Sequence, residues 1–155
     1  MKMKTSLITF VLCLTMGTFC FGATPMAGTW KLNEGKSKIA PGTGKNTMVV
    51  YKESMGGKVK IVTDGVDAKG KPTHSEWNGK FDGKDYAVTG DPNSDMRSYT
   101  KVDDRTLDFA NKKDGKVTVS GRVSVAADGK SRTVTTSGTN AKGKKFNNTA
   151  VFDKQ

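Results

Sequence analysis

Residues 114–125 read DGKVTVSGRVSV. Asp114-Gly115 is a turn signal, because two-residue hairpin loops need positive φ, which glycine tolerates best. After it, Val117, Val119, Val123 and Val125 share a face with Gly121, while Thr118, Ser120, Arg122 and Ser124 take the other. A period of two with one apolar face describes antiparallel sheet with a wet side.

The same grammar extends outward. Asp-Gly recurs at 64–65, 82–83 and 128–129. Ten short segments are expected as strands: 28–33, 46–53, 58–66, 73–81, 86–90, 96–102, 106–111, 117–126, 132–138 and 146–153. In 73–81, Trp77 and Phe81 fall together with Thr73, Ser75 and Gly79, and His74, Glu76, Asn78 and Lys80 point the other way. Trp30 with Leu32, Val59 with Ile61, Leu107 with Phe109 and Phe146 with Phe152 behave likewise. No stretch has a helical period, and 34–45 (EGKSKIAPGTGK) is too short and too rich in Pro and Gly for more than one turn. Closing a sheet of many short hairpins removes its edges. The expected fold is therefore all-β, an antiparallel up-and-down β-barrel of about 8–10 short strands, with a two-sheet sandwich as the alternative.

Residues 1–22 are set apart as a signal peptide. Lys2 and Lys4 form a basic start, Leu7 to Leu14 an apolar run, and Cys20 and Gly22 supply small residues for a cut before Ala23. The run is too short for a membrane span and no later stretch suits one, so the expected location is exported, periplasmic or secreted. Residues 23–155 then form a single domain. Both cysteines, Cys13 and Cys20, leave with the signal, which removes disulfides, thiol nucleophiles and thiolate metal sites from consideration. The formal charge falls from +11 to +9 when Lys2 and Lys4 are lost. Residues 65–71 (GVDAKGK) and 138–144 (GTNAKGK) repeat one loop chemistry.

With Gly28-x-Trp30 in the first strand, DGKDYAVTG at 82–90 and a Phe152-Asp153-Lys154 ending, the chain resembles the lipocalin-like, or calycin, barrels, and more closely small exported bacterial proteins of that type whose function is unassigned. The likeness covers nearly all of 23–155. It implies that Gly28 and Trp30 are structural, with Trp30 packed across the closed end, often under an arginine from near the C-terminus; here no arginine follows Arg132. The start is also similar to fatty-acid-binding proteins, but 34–45 leaves no room for their two-helix lid, and Ala150 and Phe152 stand where their last strand supplies an arginine and a tyrosine. Biotin-binding barrels need several tryptophans, and only Trp30 and Trp77 exist.

Catalytic constellations are scarce. His74 is the only histidine, with Glu76 on the same face; zinc usually asks for three or four protein ligands, so no metal site and no cofactor are expected. Gly42-Thr43-Gly44-Lys45 lacks the spacing of a phosphate loop, and Asp103-Asp104 sits beside Arg105 in a turn. An envelope enzyme using His74 and Glu76 is the weakest of three readings.

Charge is better organised. In a simple meander, connections alternate between the barrel ends, and one end then collects eleven lysines against five carboxylates. The other end, which includes Arg105 and Arg132, is nearly balanced. A ring of lysines around a low-dielectric opening attracts anions. The favoured reading is a non-catalytic binding protein for a small, anionic or amphiphilic ligand. Trp77, Phe81 and Tyr86 would give apolar contact, and Lys69, Lys71, Lys142 and Lys144 charge attraction at the mouth. The alternative is a module for acidic envelope polymers with a filled barrel. Nucleic acid is not expected, since rows of exposed stacking aromatics are missing.

Overall fold

A computed structural model describes residues 24–140 and 142–155. The expected signal peptide, 1–22, lies outside the described residues. Ten strands follow one another: β1 (Gly28–Leu32), β2 (Lys45–Ser54), β3 (Lys58–Val66), β4 (Pro72–Gly79), β5 (Asp82–Thr89), β6 (Met96–Asp103), β7 (Thr106–Lys113), β8 (Lys116–Val125), β9 (Ser131–Thr139) and β10 (Lys145–Lys154). Each pairs antiparallel with its sequence neighbour, and β1 pairs with β10, so the meander closes into an up-and-down barrel. The sandwich alternative falls. Segment 34–45 holds only a single 3-10 turn, Glu34–Lys36, capped by the Asn33 side chain.

Local chemistry explains the register. At the β7–β8 hairpin, Lys113 faces Lys116 across Asp114 and Gly115, whose φ values of 50° and 74° give the paired positive dihedrals of a tight hairpin. Asp128-Gly129 lies in the β8–β9 connection. Asp64-Gly65 is not a turn: it runs inside β3, where Gly65 faces Asn46 at a bulge in β2. A Cβ on Gly65 would stand 2.4 Å from the Lys45 carbonyl oxygen, so the bulge needs a glycine opposite it. Val117 leaves the apolar face of β8 and is exposed, because a bulge between Asn111 and Lys112 shifts the pairing at that end.

Alternation places one row of each strand inside. On β9 the inward row is Arg132, Val134, Thr136 and Gly138, facing Phe152, Ala150, Asn148 and Phe146 of β10. Trp30, Trp77, Ile61 and Leu107 are the most deeply buried apolar side chains. The β4–β5 seam is the thinnest, with only Glu76 opposite Thr89 and Trp77 opposite Val88. There Phe81 folds inward, its carbonyl accepting from the Lys101 N–H at 3.2 Å and its ring stacking on Trp77.

The Gly-x-Trp of β1 now has a physical reason. Trp30 donates its indole N–H to the Met26 carbonyl at 3.0 Å, and Lys154 lies over its ring at 5.1 Å. To get there the Lys154 stem passes 2.8 Å from where a Cβ of residue 28 would stand, and Gly28 itself has φ of +121°. We expect Gly28→Ala to destabilise the barrel by about 2 kcal/mol, through backbone strain plus displacement of Lys154. Thermal unfolding monitored by tryptophan fluorescence checks this; an unchanged midpoint would refute the account.

Candidate functional site

The interior is not filled. A cavity of about 760 Å³ opens at the end that collects the β1–β2, β3–β4, β5–β6, β7–β8 and β9–β10 connections. Its walls are mixed: Val49, Phe109, Val123, Val134, Phe146 and Phe152 are apolar, while Thr63, Ser75, Asn111, Thr136 and Asn148 are polar. The volume lies within the range of about 300–1,000 Å³ usual for small-molecule pockets.

At the mouth, the two repeated loops share one hydrogen-bond pattern. Asp67 Oδ1 accepts from the N–H groups of Lys69 and Lys71 at 2.8 and 2.9 Å, and Asn140 Oδ1 accepts from those of Lys142 and Lys144 at 3.0 Å each. In both, the first residue's N–H reaches the carbonyl of the last at 2.9 Å, and a glycine with φ near 75° (Gly70, 79°; Gly143, 74°) completes the turn. The backbone N–H groups of Lys71 and Lys69 hold the Asp67 carboxyl below the usual carboxylate range. Each turn thus carries two lysines whose backbone N–H groups are tied to the Asp67 or Asn140 side chain. Lys71 lines the cavity; Lys69, Lys142 and Lys144 stand on the same rim turns but do not line it.

Trp77, Phe81 and Tyr86 are brought together, but not around the cavity. They pack on one another at the opposite end: Trp77 stacks on Phe81 at 6.2 Å and meets Tyr86 edge-on at 5.7 Å. Tyr99 joins both Trp77 and Phe81, at 4.9 and 5.6 Å, and is the member that reaches the cavity wall. The reason is the thin β4–β5 seam, which these rings plug. Trp77 is further fixed by donating to the Arg97 carbonyl at 2.9 Å.

Two arginines line the cavity, and they differ. Arg97 is paired: its Nε donates to Asn111 at 2.6 Å and its Nη2 lies 3.5 Å from Asp91. Arg132 is not. Its place beside the Asp128-Gly129 turn suggests a solvent charge at the balanced end, whereas the structure buries it with 2% exposure. Its guanidinium carbon lies 4.9, 4.8 and 4.9 Å from the ring centres of Trp30, Tyr51 and Phe152. Arg132 thus takes the stacking place over Trp30, although it comes from β9 rather than from the last strand. Nε and Nη1 are buried without a hydrogen-bond partner. Burial pulls Arg132 below the ordinary guanidinium range, against the opposing pull of Tyr51 and Tyr99, and burial pushes the Tyr51 phenol up.

Magnitudes rank these effects. Desolvating a charge costs several kcal/mol, and each orphaned donor about 1–3 kcal/mol more. Cation–π contacts in a dry setting return about 2 kcal/mol each. The aromatic cage offsets much of the desolvation and leaves the missing hydrogen bonds uncompensated. The signal in the sequence was the alternation itself, since Arg132, Val134 and Thr136 share a parity.

His74 lies on the outer face of the barrel. Its Nδ1 is 2.6 Å from Asp64, its Nε2 is 3.8 Å from Glu76, and Glu76 in turn pairs with Lys60 at 2.8 Å. Among the described residues no group of three or more His, Cys, Asp or Glu side chains is arranged to hold a metal ion. No helix among them is long and apolar enough to cross a membrane.

No protein-family model and no curated protein matches the chain. Among solved structures it is similar to EF1p2_mFAP2b bound to DFHBI, at 13% identity over 84% of this chain and 94% of that one with a TM-score of 0.47. It is also similar to mFAP1, a redesigned β-barrel bound to DFHBI, at 16% identity over 84% and 95% with a TM-score of 0.44.

Two expectations follow from this geometry. The Asp64 contact raises the His74 pKa above its usual value, with Glu76 adding to it. A raised folded-state pKa stabilises the fold below the unfolded value and is lost as pH rises through the folded one. An NMR titration of His74 should show a midpoint above about 6.5 that falls in Asp64→Asn; a midpoint unmoved by Asp64→Asn would refute the contact. Phe81→Ala should cost about 2–4 kcal/mol of stability by opening the plug. Its denaturant midpoint should therefore fall sharply, and a loss below about 0.5 kcal/mol would show that the ring packs nothing.

Proposed function

We propose that this protein is an exported, non-catalytic binding protein whose barrel takes up one small anionic or amphiphilic molecule through the lysine-bearing mouth. The observation that carries the reading is the cavity of about 760 Å³ at the end where Lys69, Lys71, Lys142 and Lys144 stand on their two matched turns. Apolar walls supply the driving force for the ligand body, and the rim charge raises the local concentration of anions. The alternative, a module for acidic envelope polymers, requires no cavity and pictured a filled interior; the open barrel favours the small ligand. The enzyme reading rests on His74 and Glu76, which stand on the outward row of β4 with His74 held against Asp64.

Native mass spectrometry of protein purified gently from its own host tests the central claim, with a retained small molecule as the expected result. In vitro, the anionic dye anilinonaphthalene sulfonate should bind one-to-one. Exchanging Lys71→Glu together with Lys142→Glu should weaken it about threefold to tenfold at low salt and by less at high salt, because exposed charge is screened. A protein that arrives without ligand and takes up neither anionic nor neutral apolar dyes would sink the proposal. Uptake unaffected by salt or by the two reversals would remove the rim from it.

A further inference from the structure

The cavity has a charged floor as well as a charged mouth, and the two ask different things of a ligand. The mouth lysines sit in water and act at a distance. Arg132 sits in the wall of the cavity, enclosed by Trp30, Tyr51 and Phe152, with Nε and Nη1 lacking any hydrogen-bond partner. Every salt bridge among the described residues uses some other cation, so its charge has no counter-ion within the barrel. The phenols of Tyr51, whose ring Arg132 overlies, and of Tyr99 are both buried and both in the cavity wall. A phenol can donate to an anion, and a guanidinium N–H gives a carboxylate a charge-assisted hydrogen bond; Nε and Nη1 are closed off by their surroundings, which leaves Nη2 as the edge that meets a ligand.

We infer that the cavity takes an organic carboxylate head-first, the acid group set deep against Arg132 and the apolar body extending toward the mouth. The inference rests on the small-molecule reading above and adds an orientation and a ligand class to it. A carboxylate at the floor receives charge-assisted hydrogen bonds in a dry setting, where they are strongest. Its apolar body then lies between Phe109, Val123, Val134 and Phe152. A ligand held only by the rim would instead leave its head in water and its tail at the floor, against the Arg132 guanidinium.

Salt separates the two arrangements, because it screens the exposed rim and leaves the buried floor almost untouched. Isothermal titration of the whole protein with dodecanoate and with dodecanol, each below its aggregation limit, should give the acid roughly tenfold tighter binding or more. That preference should persist from about 0.05 to 0.5 M sodium chloride. In Arg132→Met, checked for folding by circular dichroism, the preference should shrink to within about twofold while dodecanol affinity is retained. Equal affinity for acid and alcohol in the unmodified protein overturns the inference and leaves the small-molecule reading standing. So does a preference that vanishes in salt, and so does a folded Arg132→Met variant that keeps it. If neither compound binds, the small-molecule reading fails for this class and the inference goes with it. Should Arg132→Met fail to fold, the comparison in the unmodified protein across salt decides alone.

Discussion

The barrel closes around one cation. Arg132 comes from β9, Phe152 from β10, Trp30 from β1 and Tyr51 from β2, four strands that are consecutive around the ring and that span the junction of the chain's two ends. The hydrogen-bonded seam there is short, with only Trp30, Lys31 and Leu32 registered against Lys154, Asp153 and Phe152. A guanidinium touching three rings from three neighbouring strands ties that seam from the inside. Lys154 adds a second cation over Trp30, and Gly28 makes room for its stem. Closure then removes every sheet edge, which matters in a domain whose only cysteines precede residue 23.

Closure also explains why the molecule has two unlike ends. The weak place opposite the seam is β4–β5, where pairing stops at Trp77 and Val88. Rings are spent there: Trp77, Phe81, Tyr86 and Tyr99 pack against one another and block that end. A chain with just 8% aromatic residues and little leucine has few bulky side chains left for the other half. That half is walled on β8 and β9 by Val119, Val123, Val134 and Thr136, and it stays open. The cavity is what remains after a limited stock of large side chains has been used to shut the barrel.

Strands and their facing were legible in the sequence because alternation and turn chemistry are local properties. Residues 119–125 and 73–79 alternate over enough positions to fix a face without any neighbour, whereas the bulge that turns Val117 outward depends on β7. The two AKGK loops were visible as a repeat, and the structure gives them one hydrogen-bond pattern in which Asp67 and Asn140 serve equally as acceptor. What could not be read locally was which apolar residues fill and which line. Trp77, Phe81 and Tyr86 looked like cavity walls, and only the thin pairing of β4 with β5 makes them a plug. Arg132 was misplaced for a sharper reason. It follows Asp128-Gly129-Lys130-Ser131, a solvated turn, and charge beside a turn reads as surface even where parity puts it on the inward row with Val134.

The burial of Arg132 raises a question of cost that its structural role does not fully answer. A lysine or arginine reaching the seam from solvent, as Lys154 does, would tie Trp30 without desolvating a guanidinium. A large apolar residue at 132 would pack against the same rings without orphaning two N–H donors. The sequence does neither, and the charge it buries lies at the one place where the cavity meets the closed end. An unpaired cation held rigid by an aromatic cage is already desolvated and already oriented, so an arriving anion meets a group whose hydration has been removed in advance. The same arrangement in a filled barrel would be a liability of folding with nothing to relieve it. Under the proposed binding mode cavity and buried charge make sense together: the one would give an acid somewhere to go, and the other a reason to go to the bottom.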